Sequence, residues 1–217
     1  MSQPTSFSLD QPYTEIIVVR HGETAWNATG RIQGHMDVEL DEVGRQQAAS
    51  LAERLSRVPE ISAIYSSDLK RLLKLLRRLL QPVASLSSQS LSPGLPSIFV
   101  SPDRSSYTLC LQGGGESSDQ LYHRATSSLQ RICQRHTGKR VVVVTHGGVI
   151  RALYRRACSS RFRGIILNTS VNIFQISGDD VWTIKAWGDI DHLNQTGHSM
   201  SGFGVSKTPS VVSPVLT

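Results

Sequence analysis

Two histidines stand where apolar runs stop. Ile16-Ile17-Val18-Val19 is followed at once by Arg20-His21-Gly22-Glu23-Thr24, and Val141-Val142-Val143-Val144 by Thr145-His146-Gly147-Gly148. A histidine takes up or releases a proton near neutral pH, an arginine presents a fork of donors to an anion, and a glycine lets the backbone come close to a ligand. Either group alone reads as a packing histidine or a plain turn. Both in one chain, the first trailed closely by Trp26-Asn27, exceed chance placement and imply that two strand ends each deliver a histidine to one site.

The positioning elements can be read from the pattern. Neither apolar run alternates with polar residues, as expected of strands buried on both faces, and open α/β sheets bind their substrates beyond the carboxyl ends of such strands. Residues 28–41 mix Gly, Asn, Asp and His without periodicity and are expected to loop over those ends. Asp41 should cap a helix whose apolar positions Ala48, Leu51, Ala52, Leu55 and Val58 fall three and four apart until Pro59, with Glu53 and Arg54 facing water. Ile61 to Tyr65 reads as a short strand, and Ser66-Ser67-Asp68-Leu69-Lys70-Arg71 leads from its end into a further helix. Ser117 or Ser118 should cap a helix burying Leu121, Ala125, Leu129, Ile132 and Cys133, which Gly138 ends. A helix from about Val149 to Arg156 and strands at Val171–Ile176 and Trp182–Trp187, joined by Gly178-Asp179-Asp180, complete the chain.

Val19 to Asn27 together with Thr145 to Gly148 resembles the histidine phosphatase superfamily, in its cofactor-dependent phosphoglycerate mutase-like branch. Arg31-Ile32-Gln33-Gly34-His35-Met36-Asp37, Gly113-Gly114-Gly115-Glu116-Ser117 and Asn168-Thr169-Ser170-Val171-Asn172 are similar to the plant phosphoglycerate mutase-like proteins. The resemblance spans about residues 13–70 and 113–205. It implies a three-layer α/β/α sandwich with a mostly parallel central sheet, His21 and His146 meeting at its carboxyl edge.

It also implies His21 as the nucleophile that takes up a phosphoryl group, with Arg20, Arg71 and His146 as its catalytic partners. Gly22, Glu23, Thr24, Asn27, Gln33, Gly34 and Gly147 would contact substrate. The chemistry is coherent, because a neutral imidazole is nucleophilic near pH 7 whereas a phosphoester dianion repels attack until cations neutralise it. The expected activity is hydrolysis of a small phosphorylated metabolite through a phosphohistidine. Phosphoglycerate mutase-type transfer, or a phosphate-binding variant with impaired catalysis, are the alternatives. No metal and no cofactor is expected, and His35, His123, His136, His192 and His198 are expected at surface, packing or loop positions.

From Leu72 to about Gln112 the resemblance breaks. Family members continue after the arginine with Ala-x-x-Thr-Ala and later carry a Leu-Arg-Glu whose glutamate donates a proton; neither occurs here between Arg71 and Gly113. Leu72 to Leu80 can be recoded into the family helix by moving the reading frame back one base, so residues 72–112 are read as frame-shifted or exon-deleted. Taken alone, that run is a basic amphipathic helix of the membrane-surface or calmodulin-target kind. Ser85 to Ser97 has the composition of a linker, and only Ile98-Phe99-Val100 suggests a strand. Glu116 is the nearest acid in sequence to replace the missing donor, although a helix-start glutamate more often serves capping.

Composition sets the remaining limits. A chain of 217 residues makes one domain at 13–206, with flexible ends at 1–12 and 207–217. The net charge of +6 favours anionic partners, but the arginines are not interleaved with stacking aromatics as a nucleic-acid surface requires. Cys110, Cys133 and Cys158 lie in no metal or disulfide pattern and are expected as free thiols. With no membrane-spanning run and no leader-like start, a cytoplasmic location without membrane contact is expected.

Overall fold

The structure, a computed structural model, describes residues 12–34, 36–67, 69–86, 97–101 and 116–194. The chain runs β1 (Tyr13–Arg20), α1 (Ala25–Ala28), α2 (Glu42–Ser56), β2 (Ile61–Ser67), α3 (Lys70–Leu86) and β3 (Ser97–Ser101). It continues through α4 (Ser118–Arg135), β4 (Arg140–Thr145), α5 (Gly147–Cys158), β5 (Val171–Ser177), β6 (Trp182–Asp189) and α6 (Asp191–Asn194). The described strands form one six-stranded sheet in the order β3-β2-β4-β1-β5-β6. Pairs β1–β4, β2–β4 and β2–β3 are parallel, and β5 alone runs against its neighbours.

Why the central strands lack alternation is visible in the packing. Ile17 and Val19 point to one side of the sheet, against Leu51 and Leu55 of α2 and Leu72, Leu75, Leu76 and Leu79 of α3. Ile16 and Val18 point to the other, against Leu129 of α4 and Ile150 and Leu153 of α5. Both faces are covered, so the sheet is the middle of three layers and successive strand residues must all be apolar.

The leucine run from residue 72 has a place in this arrangement. Leu72, Leu75, Leu76 and Leu79 are buried in the α2 side of the core, each worth roughly 1.5–3 kcal/mol relative to exposure. The apolar face that suggested a membrane or calmodulin target is therefore used inside the protein. Beyond it β3 adds an edge strand to β2, with Ile64 opposite Ile98. Residues 87–96 and 102–115, which include most of the linker-like stretch, lie outside the described residues, as do 1–11 and 195–217. No helix among the described residues is long and apolar enough to cross a membrane.

Helix starts follow the expected chemistry. Asp41 accepts the Gly44 amide at 2.8 Å, and Ser117 with Gln120 forms a reciprocal capping box at the start of α4. Helix α5 starts two residues before the expected Val149, directly at Gly147. Cys133 is buried, its thiol pushed up to about 12 by desolvation; it and Cys158 are free, and Cys110 lies outside the described residues. One expectation fails: Arg54 does not face water but pairs with Asp189, Nη1 to Oδ1 at 2.8 Å. The helical period places Arg54 beside the end of β6, a long-range contact that no local pattern records.

Candidate active site

β1 and β4 are adjacent and parallel, with Arg20 opposite Thr145, so the residues following each strand emerge side by side. The His21 amide donates to the Thr145 carbonyl at 3.0 Å. The rings of His21 and His146 lie 5.3 Å apart, inclined at 64°. Two strand ends thus deliver two histidines to one point, as the sequence implied.

His21 is buried and its Nδ1 lies 2.7 Å from the Gly22 carbonyl. A carbonyl only accepts, so Nδ1 carries the proton and Nε2 keeps its lone pair. Burial holds the His21 pKa well below the ordinary histidine value, with His146, Arg20 and Arg71 adding repulsion and the Gly22 bond opposing them. The ring is a neutral imidazole of fixed tautomer, the form in which an imidazole is nucleophilic.

Around it the structure concentrates positive charge. Arg20 is 6% exposed and Arg71 2%. Burial brings both guanidinium groups down to about 10, Arg151 further depressing Arg20 while Glu23 opposes, so both remain cations at neutral pH. Arg20 donates through Nη1 to the Ile166 carbonyl. Arg71, in the first turn of α3, donates through Nη1 to Met36 O at 2.7 Å and through Nη2 to Gly34 O at 3.1 Å. Among the described residues, the buried Nε of each finds no hydrogen-bond partner. Two desolvated arginines with donors left over make a site that an anion completes. A Cβ on Gly147 would lie 3.6 Å from Arg20 Nε, so the first turn of α5, with its outward amides, borders the same space.

The other expected contacts divide. Thr24 caps α1 by accepting the Asn27 amide at 3.2 Å, and its hydroxyl donates to Asn27 Oδ1 at 3.1 Å. Asn27 also accepts from Asn168 Nδ2 at 3.3 Å, so Thr24 and Asn27 shape the loop. Gln33 is buried with Oε1 unpartnered among the described residues, while the Gly34 carbonyl anchors Arg71. Glu23 donates its amide to Gln47 Oε1 at 2.9 Å; burial, then Asp41, raises its carboxyl pKa against the pull of Arg20. Gly22 is needed for a closer reason than a turn, because a Cβ there would meet the Gly44 carbonyl at 2.5 Å and one on Gly44 would meet the Glu23 carbonyl at 2.0 Å. The loop and the start of α2 touch backbone to backbone. Gly44→Ala should therefore destabilise the fold by roughly 3 kcal/mol, read as a lower urea midpoint; an unchanged midpoint contradicts this contact.

Glu116 does not stand free as a proton donor. Both carboxylate oxygens engage Arg124, Nε to Oε1 at 2.8 Å and Nη2 to Oε2 at 2.9 Å. Among the described residues no group of three or more His, Cys, Asp or Glu side chains is arranged to hold a metal ion.

Sequence reasoning gave no role to several residues. Arg151 donates to Phe162 O at 3.1 Å and Gly164 O at 2.8 Å, fixing the loop that supplies the Ile166 carbonyl to Arg20. Asn168 Nδ2 donates to the His21 carbonyl at 3.0 Å. His192, expected at a surface, packing or loop position, is buried in α6 against Thr169. The polar Asn168-Thr169-Ser170 run before an apolar strand was the available signal for Asn168; Arg151 and His192 had none.

His192 is held down to about 4, mainly by burial and then by Arg54, with Asp189 and Asp191 opposing. Unfolded histidine titrates near 6.5, so on lowering pH through the interval from about 6.5 to about 4 the unfolded chain binds protons that folded His192 and His21 refuse. Stability should fall across that interval. A urea midpoint constant between pH 7 and pH 5 contradicts it.

The sequence profile of the histidine phosphatase superfamily (branch 1) matches residues 16–86 and 85–190. Phosphoglycerate mutase-like protein 4 of Arabidopsis thaliana is 48% identical over 221 residues, spanning 93% of this chain and 96% of that protein. The metal-independent phosphoserine phosphatase of Arabidopsis thaliana is 40% identical over 220 residues, spanning 93% and 92%. Among solved structures, a phosphoglycerate mutase of Bacillus anthracis superposes with a TM-score of 0.66 at 21% identity, over 87% of this chain and 98% of that one, a likeness of fold.

Proposed function

The chain belongs to branch 1 of the histidine phosphatase superfamily, and from that premise we propose that it hydrolyses small phosphomonoesters through a phosphohistidine formed on His21. The observation that carries the reading is the His21 ring itself, neutral, with Nδ1–H committed to the Gly22 carbonyl, between two buried arginines whose Nε atoms have no partner among the described residues. In this reading the phosphoryl oxygens lie against Arg20, Arg71 and the first amides of α5, and Nε2 attacks phosphorus opposite the leaving oxygen. Water then attacks the phosphohistidine, returning the ring to its neutral tautomer. His146, 5.3 Å from His21, donates to the phosphoryl oxygens. Gln33, buried with Oε1 unpartnered among the described residues, is left to contact the substrate, while Asn27 and Gly34 serve by holding the loop and Arg71.

The site is crowded with cations, Arg20 and Arg71 both buried in it, which suits a compact anionic metabolite. Phosphoserine, the substrate in the description of the relative at 40% identity, is the first to assay. Phosphate should be released from phosphoserine and from p-nitrophenyl phosphate in the presence of a chelator. The aryl ester should react faster, since a phenolate departs without a proton donor and Glu116 is engaged by Arg124. Release that requires an added divalent cation overturns the reading.

A further inference from the structure

A buried hydrogen-bond chain leads from α2 and α6 to the His21 main chain, and one fixed donor sets its direction. Arg54 is clamped by Asp189, and its Nη1 lies 3.4 Å from His192 Nδ1. A guanidinium only donates, so Nδ1 accepts and the His192 proton resides on Nε2. Nε2 lies 3.2 Å from Thr169 Oγ1. With that lone pair occupied, the Thr169 hydroxyl donates to the Asn168 carbonyl at 2.8 Å. The Asn168 side chain and the Thr169 amide then converge on the His21 carbonyl, at 3.0 Å and 3.3 Å.

Thr169 occupies this junction at a conformational cost. It is fully buried with φ of 54°, a left-handed backbone that β-branched residues seldom adopt unless their surroundings impose it. Its two side-chain bonds supply that imposition. Burial and Arg54 keep His192 neutral at physiological pH, as the donor and acceptor roles require.

We propose that His192 is a positioning residue which, through Thr169 and Asn168, fixes the main chain at His21 and Gly22, and with it the tautomer and aim of the nucleophile. The proposal rests on His21 being the nucleophile. It assigns Arg54, Asp189 and His192, all outside the phosphate site, a share in the rate.

The test compares the wild type with His192→Phe, which fills the space without a donor, and His192→Gln, which restores one. Three quantities are read: the rate of phosphoenzyme formation from p-nitrophenyl phosphate per alkali-stable labelled site, the kcat and KM, and the His21 tautomer from imidazole nitrogen NMR. His192→Phe should slow phosphorylation and kcat about tenfold to a hundredfold with KM within twofold, and His21 should become a mixture of tautomers. His192→Gln should recover most of the rate. A purely structural role would reduce the number of labelled sites without changing the rate at each, and unchanged rate and tautomer in His192→Phe overturn the proposal. Should that variant not fold, Arg54→Leu, which frees the His192 tautomer, carries the same expectation. If the wild type takes no label, the phosphohistidine reading fails, and the tautomer comparison still decides the positioning role.

Discussion

Replacing His21 by alanine should lower the turnover of p-nitrophenyl phosphate by roughly 10⁵ while leaving inorganic phosphate bound within a few-fold of the wild-type affinity. The two effects separate because different atoms produce them. In the proposed mechanism Nε2 of His21 forms the covalent bond, whereas the buried Arg20 and Arg71 guanidinium groups, both cationic with pKa values of about 10, hold the anion. The fold should survive, since Asn168 and Thr169 grip the His21 carbonyl and not its ring. Steady-state kinetics with calorimetric phosphate titration reads both. Phosphate binding lost together with turnover would place the imidazole among the anion-holding groups and not at the centre of the chemistry.

Arg71→Ala should cost about 10² to 10³ in kcat, the usual loss when one donor to a transition-state anion is removed. Arg71→Lys should recover little. The guanidinium reaches its place by spending Nη1 on Met36 O and Nη2 on Gly34 O, and the single nitrogen of an ammonium cannot stand at both of those positions and also where the fork faces phosphate. Lys70→Ala is the matched control, because that side chain is more than half exposed and stands 3.9 Å from Asp37. Comparable kcat for Arg71→Ala and Lys70→Ala would show that the start of α3 does not serve the site.

The candidate site was legible because its residues sit where strong local signals end. Val18-Val19 and Val143-Val144 announce strands covered on both sides, and polar residues placed directly after such strands must emerge at one edge of the sheet. Asp41 was readable as a cap, and the α4 cap as Ser117 or Ser118, for similar reasons; Asp41 and Ser117 each set an acceptor three residues before an amide that needs one. The supporting shell was not legible. Arg54 looks like any solvent-facing helical arginine until β6 brings Asp189 alongside it, and His192 is a lone histidine until α6 places it under Thr169. Contacts between residues 135 or even 23 positions apart leave no mark on periodicity. The leucine run after Arg71 shows the opposite difficulty. Its amphipathic pattern correctly signals a helix, but pattern cannot say whether an apolar face meets a lipid, a partner or the protein's own core, and here Leu72 to Leu79 meet α2.

Trapping the intermediate tests the central claim most directly. The protein, mixed briefly with a phosphomonoester labelled in the phosphoryl group, is quenched in alkali, where phosphohistidine survives and phosphoserine does not, then digested and mapped. The account predicts label on His21, approaching one per chain in the burst and absent from His21→Ala. Label on His146, on a serine or on a cysteine, or full turnover with no alkali-stable label at any time, would contradict it.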